Sequence, residues 1–170
     1  MIIVRQEKKE DIEAVRQINL KAFARPQEAD IVDKLRDNCQ DCLSLVAEVD
    51  GNIAGHILFS PAIIEADSGV IKGMGLAPMA VLPAYQKQGI GSALVQDGLE
   101  KLKQVNCSFV IVLGHSEYYP KFGFKAASSY GIKCEWEVPD EAFMAIVLDE
   151  LKMQGVSGVA KYRPEFAEAV

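Results

Sequence analysis

The sequence predicts a mixed α/β sandwich, a sheet carrying helices on both of its faces. Three observations lead there. Apolar runs of strand length fill the middle of the chain, segments of helical periodicity interleave with them towards both ends, and turn residues punctuate the boundaries. No linker, repeat or low-complexity stretch divides the 170 residues, so a single domain over 1–170 is expected.

The elements follow in chain order. Ile2 to Gln6 is a short strand rich in β-branched residues. From Asp11 to Phe23 the spacing of Ile12, Val15, Ile18 and Ala22 is helical, with Glu13, Arg16 and Gln17 turned elsewhere. Pro26 separates this helix from a second, Gln27 to Arg36, whose apolar positions are Ile31, Val32 and Leu35. A hairpin comes next, Leu43 to Val49 and Ile53 to Phe59, joined through Asp50-Gly51-Asn52. A turn around Asp67-Ser68-Gly69 leads into Val70 to Leu82, long, apolar and interrupted by Gly73, Gly75 and Pro78. That pattern reads as a strand with a bulge or kink. After Pro83 a glycine-containing loop enters a helix from about Gly89 to Gln104, which buries Ile90, Leu94, Val95, Leu99 and Leu102. Phe109 to Leu113 is a wholly apolar strand, Glu117 to Phe122 one helical turn, and Phe143 to Leu148 a further strand.

Composition narrows the function. Apolar residues make up 49% and charged residues 25% of the chain, the balance of a globular protein that can fill a core. The formal charge of −6, without a basic cluster, argues against nucleic acid as a partner but leaves room for a small anionic ligand at a local site. No apolar run approaches the roughly 20 residues that span a bilayer, and Met1 to Asp11 is too short in apolar residues and too charged for a signal peptide. Cys39, Cys42, Cys107 and Cys134 are ordinary usage and no disulfide scaffold. A cytoplasmic protein without membrane or metal partners is the expectation.

The most informative segment runs from Met79 to Leu94, strand, loop and helix, with Gly89 and Gly91 at the helix start. Such a junction aims unpaired backbone N–H groups at one spot, and the helix dipole adds positive potential there. Glycine lets backbone approach a phosphate without an intervening Cβ. The inference is an anion site suited to a diphosphate. A P-loop would need Gly-x-x-x-x-Gly-Lys-Ser/Thr, which is absent, and a dinucleotide fingerprint would need glycine where Leu94 stands. A lone Gly-x-Gly more often serves tight packing; Gln86 and the flanking elements favour the functional reading.

Gln86-x-x-Gly89-x-Gly91 resembles the Gln/Arg-x-x-Gly-x-Gly/Ala signature of the GNAT acetyltransferases, placed as in that family between the fourth strand and third helix. The resemblance covers nearly the whole chain. The segments Ala77 to Pro83, Gly114 to Phe124 and Gly158 to Phe166 are similar to one subfamily, the YhbS-like predicted acetyltransferases. It implies the GNAT fold, a mixed, mostly antiparallel central sheet with a splayed or bulged fourth strand and helices on both faces. It implies acetyl-CoA as cofactor and CoA as product. The backbone N–H groups of Gln88, Gly89, Ile90, Gly91 and Ser92 would bind the pyrophosphate, with Lys87 as local cation beside the uncharged Gln86. Main-chain groups of Met79 and Val81 would pair with the pantetheine arm as an added strand does.

Acetyl transfer to an amine needs a neutral nucleophile, a stabilised oxyanion and a proton for the departing thiolate. A phenol near pKa 10 can protonate a thiolate whose thiol lies near about 8.5. The resemblance assigns that role to Tyr119, four residues before Gly123, while Tyr118 reads as packing. The chain departs from the family pattern at Val112, where an asparagine that contacts pantetheine is usual. A backbone N–H of Ala80 or Val81 is the oxyanion donor that the resemblance implies. For the base, Glu28 on the second helix is the leading side chain, with His115, Glu117 and a water relay as alternatives. The expected reaction is direct attack in a ternary complex by a small-molecule, peptide or protein amine. The rival is a catalytically silent acyl-CoA-binding module, and a homodimer is expected by resemblance.

Other signals carry less. Cys39-Gln40-Asp41-Cys42 has C-x-x-C spacing but leads into a strand, and no second pair completes a zinc site. His56 reads as a satisfied, partly buried strand histidine, and Lys8 to Asp11 as a solvated helix entry.

Overall fold

A computed structural model describes residues 1–169. In order, the chain forms strand β1 (Ile2–Gln6), helices α1 (Ile12–Phe23) and α2 (Gln27–Asn38), and strands β2 (Leu43–Val49), β3 (Asn52–Ala66) and β4 (Gly69–Val81). Helix α3 (Ile90–Gln104) and strands β5 (Phe109–Leu113), β6 (Lys125–Ala126), β7 (Ile132–Cys134) and β8 (Phe143–Val147) follow. Helix α4 (Glu150–Met153) and strand β9 (Gly158–Lys161) complete the regular elements. The strands and helices expected from periodicity are all present, and β3 runs well past Phe59.

The described residues form two compact units, one of residues 1–60 and 77–100 with the segment from Pro164, the other Pro61–Leu76 and Lys101–Arg163. Strands β3 and β4 hydrogen-bond to each other, and each is divided between the units.

In the first unit β1, β2 and β3 form an antiparallel meander, with Val4 opposite Ala47 and Val46 opposite His56. A register shift between Ala47 and Glu48 leaves Ala54 without a partner residue and bulges β3. Helix α1 ends where Ala24 turns left-handed (φ 55°), its N–H still held by the Leu20 carbonyl. Val15 and Ile18 of α1, Ala29, Val32 and Leu35 of α2, and Leu45, Ala54, Ile57 and Phe59 of the sheet are buried. On α3 the stripe Ile90, Leu94, Val95, Leu99 is buried as its spacing required. The entry to α1 is less solvated than expected. Asp11 is buried because Arg5 reaches it from β1 with two hydrogen bonds of 2.7 and 3.0 Å, while the Lys8 N–H donates a third.

In the second unit β4 runs parallel to β5, with Met74, Gly75 and Leu76 opposite Val110, Ile111 and Val112. Beyond Leu76 this pairing ends, while β4 continues to Val81 and the Ala77–Pro78 peptide is cis. β5 pairs antiparallel with β8 and β8 with β6. β9 lies between the end of β3, antiparallel, and β7, parallel. Parallel pairing at β4–β5 within an otherwise mostly antiparallel sheet is the mixed topology that the family resemblance implied.

Candidate active site

The strand-to-helix junction of the first unit is built by short-range bonds. As β4 ends, Leu82 N–H donates to the Ala54 carbonyl of β3 at 2.9 Å. A 3-10 turn over Pro83–Tyr85 follows, closed by Tyr85 N–H to Leu82 carbonyl at 2.8 Å. Gln86 is extended, and Lys87 (φ 64°) and Gly89 (φ 86°) are both left-handed before α3 begins. The first helical bond outward is Ala93 N–H to the Gly89 carbonyl at 3.0 Å. The backbone N–H groups of Gln88, Gly89, Ile90 and Gly91 therefore precede the helical ladder and donate to no described backbone acceptor. Successive N–H groups around left-handed residues at a helix N-terminus make a concave site of positive potential. Lys87 is exposed beside it.

The helix start is seated on β3 through Gly55. A Cβ there would lie 2.8 Å from Ile90 Cγ2 and 3.1 Å from Leu94 Cδ1, so glycine lets α3 sit directly on the strand. Ala80 is buried, and Met79 and Val81 are half-buried with the opposite strand parity. The Gln86 side chain donates from Nε2 to the Val81 carbonyl at 3.1 Å, tying the loop back to the strand end, and Gln88 Nε2 reaches the Ala84 carbonyl at 3.4 Å. Gln86 thus shapes the loop through a main-chain contact that no sequence pattern disclosed.

Glu28 lies on α2 in the same unit with only 12% of its side chain exposed. It accepts hydrogen bonds from Arg25 Nε at 2.9 Å and, at closer range, from Arg25 Nη2. The candidate base is thus held in an ion pair across the α1–α2 connection.

His56 is buried completely, more than the strand position alone implied. Asn19 Nδ2 lies 3.0 Å from the Val15 carbonyl and 3.2 Å from His56 Nδ1. The carbonyl requires the amide NH₂ at that position, so Nδ1 accepts and the Nε2–H donates to Ser44 Oγ at 2.8 Å. This tautomer cannot take a proton from Ser44, so the Ser–His–Asn arrangement is no activated nucleophile. Burial, aided by the charge of Arg36, lowers the imidazole pKa to about 3.

In the second unit Tyr119 opens the 3-10 turn Tyr119–Phe122, which Gly123 ends at φ 106°. Its ring is buried on Gly114, where a Cβ would come within 2.6 Å, and meets Tyr118 and Phe124 edge-on at 5.1 and 5.6 Å. No described hydrogen bond engages its hydroxyl, and burial, with a smaller contribution from Tyr118, holds the phenol above its ordinary pKa. Tyr118 carries Lys121 over its ring at 4.1 Å. His115 and Glu117 are exposed, and Val112 is buried in β5.

One functional candidate was missed. Tyr162, just after β9, donates its N–H to Glu135 Oε2 at 2.8 Å, stacks on Trp136 at 5.6 Å and sends its hydroxyl to the Ile111 carbonyl at 3.4 Å. It lies in the Gly158 to Phe166 segment that carries the subfamily resemblance, but no role was assigned to it there. The four cysteines form no disulfide with one another, and among the described residues no cluster of His, Cys, Asp or Glu is suited to a metal. No helix among them is long and apolar enough to cross a membrane.

Residues 12–124 match the Acetyltransferase (GNAT) family. The chain is 35% identical over 149 residues to the uncharacterized N-acetyltransferase YjhQ of Escherichia coli (strain K12), covering 86% of this chain and 82% of that protein. The crystal structure of the GNAT family N-acetyltransferase YhbS from Escherichia coli in complex with CoA superimposes with a TM-score of 0.90 at 30% identity, over 98% of this chain and 92% of that one. A GNAT family acetyltransferase from Brucella melitensis, in complex with acetyl-CoA, gives a TM-score of 0.80 at 33% identity, over 98% of each chain.

Proposed function

The chain belongs to the GNAT acetyltransferase family, and from that premise we propose that it transfers an acetyl group from acetyl-CoA to a primary amine by direct attack in a ternary complex. The observation that carries the reading is the junction from Val81 to Gly91, where Lys87 and Gly89 are left-handed and the N–H groups from Gln88 to Gly91 donate to no described backbone acceptor. That is the backbone chemistry a pyrophosphate requires. Gln88, Gly89, Ile90, Gly91 and Ser92 hold the phosphates with Lys87 as nearby cation, and main-chain groups of Met79 and Val81 run along the pantetheine arm. The whole chain acts as one acetyl-CoA-binding domain. The CoA and acetyl-CoA complexes of the two structural relatives support the choice of cofactor.

In the step itself the amine nitrogen bonds to the acetyl carbon, the carbon–sulfur bond breaks, and the oxyanion is met by the Ala80 or Val81 N–H. Tyr119 gives its proton to the CoA sulfur. Glu28 is the side-chain base for the proton the nitrogen sheds; to act it must loosen Arg25, so a water relay competes for the role. The enzyme works in the cytoplasm on a small-molecule, peptide or protein amine, as a homodimer.

The test is incubation with isotope-labelled acetyl-CoA and a cell extract, read by mass spectrometry. A labelled acetyl-amine product is expected and names the acceptor class. Binding of acetyl-CoA without any labelled product would favour a silent acyl-CoA-binding module instead.

A further inference from the structure

Tyr162 is restrained on every side. β9 delivers it between the end of β3 and β7, with Ala160 opposite both Ile64 and Cys134. Its ring lies on Gly75 of β4, where a Cβ would stand 2.5 Å from the ring, and Trp136 covers the ring with planes 15° apart. Gly75 is opposite Ile111 in the β4–β5 ladder, one residue before that ladder ends at Leu76 and Val112. The tyrosine therefore crosses from β4 to β5 where the two strands are about to part, and its hydroxyl lands on the Ile111 carbonyl at 3.4 Å. Three residues on, Gly114 forms the bay for the Tyr119 ring. Burial is the main cause that holds the Tyr162 phenol above its ordinary range, and the next is the charge that an ionised Tyr119 would carry. The two phenols thus share one end of β5. One has its hydroxyl tied to backbone; the other has a hydroxyl with no described partner.

We infer that Tyr162 is a positioning residue for acetyl transfer, its hydroxyl fixing the end of β5 on which Tyr119 is seated. It rests on the reading of Tyr119 as the proton donor. Tyr162 does not itself deliver the proton, because its hydroxyl is already donated to Ile111. A phenylalanine would fill the bay between Gly75 and Trp136 equally well, so packing alone does not call for the hydroxyl. Small displacements of a catalytic group are costly, with losses of up to about a hundredfold for 1 Å.

The test is a double-mutant cycle of Tyr162→Phe and Tyr119→Phe. It is read as release of CoA thiol from acetyl-CoA with putrescine, L-lysine and an alanyl peptide as amine probes, taking the fastest. The expected result has three parts. Tyr162→Phe lowers kcat about tenfold with KM for acetyl-CoA unchanged and the thermal midpoint lowered by no more than about 4 °C. Tyr119→Phe lowers kcat about a hundredfold. The double variant equals Tyr119→Phe within about twofold, the non-additivity of a residue that acts through another. A large loss in Tyr119→Phe beside an inert Tyr162→Phe overturns the positioning role and leaves the donor intact, as does full additivity. An inert Tyr119→Phe overturns the reading of the donor itself, and the inference with it.

Discussion

The side-chain amide of Gln86 donates to the main-chain carbonyl of Val81 across 3.1 Å, joining the first residue of the glycine motif to the last residue of β4. The bond is exposed, so its loss costs about 1 kcal/mol, equivalent to about fivefold in Kd if the loop must be shaped for binding. Gln86→Met should weaken CoA by about that factor. Gln86→Glu should weaken it more, because a carboxylate faces a carbonyl and sits beside the phosphates. Calorimetric titration with CoA checks the order; equal affinities in all three proteins would remove the bond from the account.

Gly55 couples the core to the same loop. A methyl group there meets Ile90 Cγ2 at 2.8 Å and Leu94 Cδ1 at 3.1 Å, both residues being buried. Gly55→Ala is expected to cost about 1–3 kcal/mol of stability by overpacking. It should also weaken CoA, since Ile90 is the first residue of α3. Urea unfolding and CoA titration of one variant measure both effects.

The loop was legible in the sequence because its information is local. Gln86, Gly89 and Gly91 lie within six residues, and the left-handed turn at Gly89 is one that glycine favours. The expected strand end near Phe59 illustrates the opposite case. β3 in fact continues through Pro61 to Ala66. Pro61 falls after the last pair with β2, at Phe59, and before the first pair with β9, at Ile63, so it interrupts neither of those two ladders. Strands β6 and β7, of two and three residues, are too short to carry a period, and β9 is placed by distant partners. Asp11 and Tyr162 were missed for that same reason: Arg5 and Glu135 meet them only once the sheet has formed.

His56 makes stability depend on pH. Its folded pKa, lowered to about 3 chiefly by burial, lies below the ordinary 6.5, so the unfolded chain binds the extra proton between those values. Stability is then fully present above pH 6.5 and falls as pH drops, by at most about 1.4 kcal/mol per unit from this group. Asp11, whose pKa is lowered by Arg5, adds its loss only below the ordinary carboxylate value of 3.8. Urea unfolding between pH 7 and 4.5 should show the slope, and His56→Gln should flatten it. An unchanged slope in the variant would place the titration elsewhere.

Glu28→Gln separates the two candidate bases. With Glu28 as base, kcat/KM falls at least about tenfold. If water relays the proton, kcat/KM stays within about twofold. Steady-state kinetics of the variant distinguish them.

Tyr119→Phe tests the central claim most directly. The phenol is held above its ordinary pKa by burial, so Tyr119 keeps its proton through neutral pH and imposes no alkaline fall in kcat below about pH 10. Removing the hydroxyl should lower kcat about a hundredfold while the Kd for CoA, measured by calorimetry, stays within about twofold. An unchanged kcat would contradict the account by taking Tyr119 out of the chemistry.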